Sequence, residues 1–452
     1  MTSSTVVTPT TDTEKVPAAG LRPDLFRDPF RYILNAAARH DGLVRIGPAA
    51  LQTYVVSHPD YVRHILVTHA ANYPKGSMMR PFRAALGNGL VTSEGDFWKR
   101  QRRLMQPAFH SEQLQSMESH ITSCVERAVQ RWHRAAAQGI PVNILDDGIQ
   151  LNVEIVLGAL FSTSIDGPRA ERLRALTSQV FVGLASKVWT FFLPGWLPLP
   201  GATAYRRAVG ELDAEVYRII AERRATGSGT RDLLDLLLGA EDADTGERMS
   251  DRQLRDEIFT LFMAGYETTA TGTTWISYEL ARHPRIADAV AAELDQVVTG
   301  ALPGLAELPL LKYQRRVIDE AFRLHPPFPI WFRGTTEADT LGPYRLPKNA
   351  KIILAPHVTH RDRRYWSEPE TFDPDRFTPE RFDSTSRQAY YPFGRGSRIC
   401  IGERLAITIT HMVVSSLVRN FVFTVSDGYE VIPRYMVTYQ PEGGIPLVLR
   451  GR

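Results

Sequence analysis

Cys400 closes the stretch Phe393-Gly394-Arg395-Gly396-Ser397-Arg398-Ile399-Cys400-Ile401-Gly402, just ahead of a run with helical spacing. The glycines permit a tight turn with unusual dihedrals, which sets the thiol at the start of a helix. A sulfur there meets unpaired backbone N–H donors and the positive helix terminus, and both favour the thiolate. A thiolate in such a loop needs a cation partner, and a metal is one; a small buried hydrophobe is the other use of a lone cysteine. Cys124, the only other cysteine, has no such surroundings and reads as packing.

Ala264-Gly265-Tyr266-Glu267-Thr268-Thr269 is the second candidate. Gly in mid-helix costs about 1 kcal/mol relative to Ala and asks for a reason. Ala264 and Thr268 fall one turn apart on one face. Small residues there let a flat ligand approach the backbone, and the Thr268 hydroxyl can bond back toward residue 264. An acid beside an alcohol at that notch could relay protons to a ligand, whereas alone the triplet also suits a solvated helix edge. Tyr266, between Gly265 and Glu267, bears either on proton supply or on packing only.

Two charged motifs remain. Glu320 and Arg323 stand at i, i+3, which by default makes a weak pair on a helix surface. Trp98-Lys99-Arg100-Gln101-Arg102-Arg103 is a short basic run with one aromatic, weak as a nucleic-acid signal. On a helix, Trp98 and Arg102 lie one turn apart and face the same way.

The elements that position these groups follow from periodicity and stop signals. Helical stretches are expected at Glu112–Ala137, Arg169–Lys187, Tyr205–Arg224, Asp251–Ala281 (ended by His283-Pro284), Leu311–Leu324 (stopped by Pro326-Pro327) and Gly402–Asn420. Strands are expected at Leu43–Ile46, Gln52–Ser57, around Arg333, Tyr344–Pro347 and Lys351–Leu354. Helix is the majority, with small sheets near each end: a mainly α chain of the α+β class. No internal repeat or linker marks independent domains, so one large domain over residues 21–452 is expected after a flexible Thr-rich tail over residues 1–20.

Composition narrows the function. The 452 residues are 43% hydrophobic and 23% charged, which excludes a disordered, collagen-like or coiled-coil chain. A net charge of +3 gives no bulk field for nucleic acid. Two distant cysteines are no disulfide framework and suit a reducing, cytoplasmic setting. The apolar run from Trp189 to Pro200 carries three prolines and is too short to span a bilayer, so no transmembrane segment is expected. It reads as a loop or cap resting on something apolar.

The spacing F-x-x-G-x-R-x-C-x-G in residues 393–402 resembles the haem-binding loop of the cytochrome P-450 family at every fixed position. Ala264-Gly265-x-Glu267-Thr268-Thr269, Glu320-x-x-Arg323 and Trp98-x-x-x-Arg102 are similar to that family's other motifs, in its order and spacing. The flanking text fits from about residue 40 to the end.

The resemblance implies the family's fold, with haem b between the long central helix and the Cys400 loop with the last helix. Cys400 would be the axial thiolate of the haem iron, with Phe393 packed over its sulfur. Arg398, Arg333, Trp98 and Arg102 would serve the haem propionates. Ala264 and Gly265 would border the haem, Thr268 would steady bound dioxygen, and Glu267 would help deliver protons. Glu320 and Arg323 would be buried and completed by Arg376, from Phe372-Asp373-Pro374-Asp375-Arg376-Phe377, to hold the haem-binding loop in place.

The implied activity is a haem-thiolate monooxygenase of the soluble bacterial type. It would put one oxygen atom from dioxygen into a hydrophobic small molecule, by hydroxylation or epoxidation. The family's substrate-facing positions (Met78–Val91, Phe181–Val188, Phe259–Met263, Phe328–Trp331, Met436–Thr438) are apolar here, which fits a terpenoid, fatty acyl or polyketide-like substrate of secondary metabolism. No flavin, iron–sulfur or dinucleotide motif is present. Electrons are therefore expected from a ferredoxin or flavodoxin with its NAD(P)H-dependent reductase. Lys99, Arg100, Arg103, Arg395 and Arg404 are either its basic docking patch or ordinary solvated cations. The alternatives are a P-450-fold peroxygenase or isomerase that does not use dioxygen, and a non-catalytic haem protein.

Overall fold

Ser250 opens the longest helix, Asp251–Arg282, with a capping box: its hydroxyl accepts from the Gln253 backbone while the Gln253 side chain returns to the Ser250 backbone. Pro284 stops that helix and starts the next, Pro284–Val297. Such start and stop signals recur along the chain. The computed structural model describes residues 14–20, 27–161, 168–189, 201–226, 232–242, 244–435 and 437–452. Parts of the expected tail (1–13), of the apolar run (190–200), and Met436 of the expected pocket wall lie outside the described residues.

The chain divides into two compact units. One comprises Met1–Met78, Ile330–Ser367 and Ser384–Ile399; the other comprises Met79–Pro329, Glu368–Asp383 and Cys400–Arg452.

The first unit is built on a four-stranded sheet in the order Leu43–Ile46, Thr53–Val56, Lys351–Leu354, Trp331–Gly334. The outer pairs are antiparallel and the middle pair parallel. Ile352, Leu354, Tyr54 and Leu43 pack with Ile65, Tyr73 and Tyr391 into a buried core. Residues 14–20, read from the sequence as part of a flexible tail, are pinned by their backbone. Glu14 N donates to Pro343 O at 2.8 Å, and Arg45 N donates to Pro17 O at 2.8 Å.

The second unit is helical around Asp251–Arg282, which is buried on nearly every face. Ile144–Phe161 packs along it, with Ala202–Thr226, Lys312–Leu324 and Glu403–Asn420, and Ser111–Gln138 packs on Ile144–Phe161 and Glu403–Asn420. A three-stranded sheet (Val142–Asn143, Pro446–Gly451, Phe421–Val425) and a hairpin (Pro433–Tyr435 with Tyr439–Pro441) complete it. The structure is mainly helical with small sheets, as the sequence implies. Ile144–Phe161 was not legible in the sequence, because burial on most sides leaves no polar stripe to read. Among the described residues, no helix is long and apolar enough to cross a membrane.

Candidate functional site

The loop before Cys400 owes its course to two glycines. Gly394 and Gly396 have φ of +86° and +71°. A Cβ on Gly396 would come 2.2 Å from the Leu66 carbonyl oxygen, so the loop closes only with glycine there. Tyr391 anchors its start: the phenol meets Thr359 Oγ1 at 2.6 Å, and the Tyr391 N–H donates to His360 Nε2 at 3.1 Å. Phe393, Arg398 and Arg333 belong to this first unit and are all half-buried. Arg333 lies in the strand Trp331–Gly334 and donates to Phe332 O at 2.7 Å.

Cys400 belongs to the second unit, where its side chain opens onto a cavity of about 590 Å³. Arg102 and Arg404 share the cavity wall with it. The N–H groups of Gly402 and Glu403 donate to the sulfur, and Arg102 adds positive charge. Burial against the surrounding protein outweighs all three and pushes the thiol up to about 11. The sequence suggested a depressed value. The donors that would lower it are present, but burial is the larger influence. Burial also holds Arg102 below the usual guanidinium range, opposed by the Cys400 charge. A thiol on a cavity wall, met by two backbone donors and an arginine, fits an axial ligand to an iron porphyrin. Trp98 stands one turn from Arg102 in Gly95–Met105 and is buried.

The notch in the long helix is real. Leu261, Ala264, Gly265 and Thr268 are the accessible positions in a stretch otherwise buried, and they lie at i, i+3, i+4 and i+7 on one face. Thr268 Oγ1 donates to Ala264 O at 2.7 Å, the back-bond the spacing suggested. Gly265 has a further reason to be small. A Cβ there would stand 3.2 Å from Val156 Cγ2, so the glycine also lets Ile144–Phe161 pack close.

Glu267 turns to different partners from Thr268. It is buried, and its Oε1 accepts from Thr438 Oγ1 at 2.9 Å and from Gln440 Nε2. Oε2 is buried without a hydrogen-bond partner. Desolvation lifts the carboxyl from 4.5 to about 7, against the pull of the two donors. Tyr266 is buried with Phe181 and Phe262 at ring separations of 5.7 and 5.4 Å. Gln440 was missed by the sequence reading, since nothing local marks a glutamine 173 positions away as a carboxylate's partner.

Glu320 and Arg323 are fully buried rather than on a helix surface. Arg323 Nε donates to Glu320 Oε2 at 2.7 Å, and Arg376 Nε donates to Glu320 Oε1 at 2.9 Å. Arg323 also reaches Pro369 O at 2.8 Å, and Arg376 reaches Thr371 O at 3.2 Å. The three charges thus fasten the 368–376 stretch to the helix Lys312–Leu324.

The basic run is mostly neutralised. Lys99 pairs with Asp96 at 2.9 Å, and Arg100 with Glu247 at 3.3 Å. Arg103 reaches Asp242 and Asp244, both at 2.8 Å, and holds the Asp242 carboxyl down at about 2. Arg395 is spent on the carbonyls of Arg387 and Tyr390, and Arg404 donates to Ser111 Oγ at 3.0 Å. Arg100 and Arg103 thus have acidic partners, while Lys99, Arg103 and Arg404 remain exposed. Cys124 is buried beside His120 and Arg127.

The sequence pattern of the cytochrome P-450 family matches residues 16–445. Cyclooctatin synthase of Streptomyces melanosporofaciens is 33% identical over 423 residues, covering 93% of this chain and 91% of the relative. Cyclooctat-9-en-7-ol 5-monooxygenase of the same organism is 32% identical, covering 90% and 87%. Pentalenene oxygenase of Streptomyces avermitilis is 32% identical, covering 94% of each chain. Among solved structures, the haem domain of cytochrome P450DA superposes with a TM-score of 0.88 at 25% identity, covering 98% of each chain.

Proposed function

The chain belongs to the cytochrome P-450 family and is a monooxygenase that holds haem b, and from that premise we propose that it oxygenates a terpenoid skeleton in secondary metabolism. The observation that carries the site assignment is the Cys400 thiol on its cavity wall, with two backbone donors behind the sulfur and Arg102 beside it. Haem, when bound through Cys400, supplies the reductive activation of dioxygen and the transfer of one oxygen atom to carbon. The overall change is R–H + O₂ + 2 e⁻ + 2 H⁺ → R–OH + H₂O.

The residues of this chain do the rest. Cys400 would ligate the haem iron, with the Gly402 and Glu403 N–H groups stabilising its sulfur as an anion. Arg102 and Trp98 would hold a propionate from one helix face, Arg333 and Arg398 would be further propionate partners, and Phe393 would shield the sulfur. Ala264 and Gly265 would leave room for the porphyrin along the helix, and Val156 behind Gly265 keeps that wall tight. Thr268 offers its oxygen lone pairs toward the notch, because its own proton is spent on Ala264 O. Glu267, poised near neutrality, takes up and passes on protons.

The terpenoid substrate follows from the three relatives, whose names carry cyclooctatin, cyclooctat-9-en-7-ol and pentalenene. Apolar wall positions such as Phe181, Phe259 and Phe262 support it. The donor is a ferredoxin or flavodoxin with its NAD(P)H-dependent reductase, and the enzyme works in the cytoplasm. The test is a spectral titration of the haem-loaded protein with pentalenene, cyclooctat-9-en-7-ol, a long-chain fatty acid and a macrolide. A low-spin to high-spin shift with the terpenoids supports the assignment. A shift with the fatty acid or macrolide alone overturns it.

A further inference from the structure

Thr438 stands at the bend just before the strand Tyr439–Pro441, and Gln440 lies within that strand. Both side chains meet Glu267. Thr438 Oγ1 and Gln440 Nε2 both donate to Glu267 Oε1, and Gln440 Nε2 also donates to Thr438 Oγ1 at 2.6 Å. Tyr439, between them, has other partners. Its ring stacks on Trp275 at 5.0 Å, its carbonyl accepts from Trp275 Nε1 at 2.7 Å, and its N–H donates to Pro327 O at 3.0 Å. The hairpin Pro433–Tyr435 with Tyr439–Pro441 is therefore fixed along the long helix at Glu267 and, two turns on, at Trp275.

We propose that Thr438 and Gln440 are positioning residues for Glu267, holding its carboxyl on the hairpin by one oxygen and leaving the other to exchange a proton. This rests on the reading of Glu267 as part of the proton route.

Three observations support the assignment. Both donors to Oε1 are uncharged, so the carboxyl is oriented without being locked in its ionised form by a cation. Oε2 is buried with no hydrogen-bond partner, which leaves it the oxygen on which a proton is gained or lost. Among the described residues, the titratable group whose charge is coupled to Glu267 is the Tyr266 phenol, itself driven well above its ordinary range by burial. Glu267 is thus a single carboxyl whose charge is governed by burial against two neutral donors. Each donor favours the ionised form, so removing either shifts the carboxyl toward its protonated form.

The experiment is an infrared pH titration of the buried carboxyl C=O stretch in the haem-loaded protein, assigned by its loss in Glu267→Gln. The wild-type midpoint is expected near neutrality. In Thr438→Val, an isosteric change, and in Gln440→Leu, the midpoint should rise by about one pH unit. Thr438→Ser, which keeps the donor, should restore it. An unchanged midpoint in both Thr438→Val and Gln440→Leu overturns the proposal. A second readout separates the two readings: dioxygen consumption driven by a plant-type ferredoxin and its reductase, across the same pH range. If its midpoint moves with the infrared one, both stand. If the infrared midpoint moves and consumption does not, the positioning role stands and the proton-route reading of Glu267 falls.

Discussion

The Thr268 hydroxyl donates its only proton to the carbonyl oxygen of Ala264, 2.7 Å away and one turn back along the same helix. The bond leaves the hydroxyl an acceptor toward the accessible notch and ties its orientation to the backbone. Thr268→Ala removes that acceptor while changing stability by no more than about 1 kcal/mol, since back-bonding of this kind contributes little to helix stability. Electron consumption should continue while product falls and peroxide rises. Thr268→Ser should restore most of the coupling. Peroxide per NAD(P)H is the measurement, and full coupling in Thr268→Ala would refute the role.

Cys400 and Cys124 separate ligation from packing. Cys400 opens onto the cavity, whereas Cys124 is buried beside Arg127 and His120. Cys400→Ser should abolish the red-shifted Soret band of the ferrous carbon monoxide complex. Cys124→Ala should keep it, at a cost of about 1–3 kcal/mol for the cavity it leaves. Difference spectra and thermal melts of both variants check the pair.

The buried charges at Glu320 make a stability prediction with an order. Glu320 accepts from both Arg323 and Arg376, and its Oε1 also takes the Asp373 N–H at 2.8 Å. Glu320→Gln leaves two buried guanidinium groups without their counter-charge and should cost about 3–5 kcal/mol. Arg376→Met leaves Glu320 still paired with Arg323 and should cost less. Denaturant unfolding of the two variants should rank them in that order, and the reverse order would remove Glu320 as the centre of the cluster.

These residues show what a sequence can and cannot carry. The i, i+3 spacing of Glu320 and Arg323 and the i, i+4 spacing of Ala264 and Thr268 are local, so their helix geometry could be read directly. The stop at His283-Pro284 bounded the long helix for the same reason. Arg376 came from the family resemblance, because a partner more than fifty positions away leaves no local trace. The clamp on Glu267 from Thr438 and Gln440 was illegible for that reason too. The basic run looked like a surface because its partners Asp242, Asp244 and Glu247 come from a distant loop.

That pairing of Arg100 and Arg103 changes what their mutation should do. Arg103→Gln together with Asp242→Asn removes one charge of each sign, so the double variant takes little from the field an approaching donor meets. Reduction of the haem-loaded protein by ferredoxin should keep its rate and its salt dependence. A marked slowing at low salt would restore this helix as a docking surface. Stopped-flow reduction at low and high ionic strength distinguishes the two.

Glu267 should also leave its mark on the pH dependence of folding. In the unfolded chain its carboxyl loses its proton near 4.5, and in the folded protein near 7. Between those values the unfolded chain holds fewer protons, so stability falls as pH rises and levels off on either side. The loss is about 1.4 kcal/mol per pH unit, reaching about 3 kcal/mol once both forms are ionised. Glu267→Gln removes the titration and keeps an oxygen for Thr438 to donate to. The variant should therefore be more stable than wild type at pH 8, with the gain shrinking toward zero at pH 4.5. Denaturant unfolding at several pH values decides it: a stability difference that does not change with pH would mean that Glu267 titrates normally and that burial does not govern its charge.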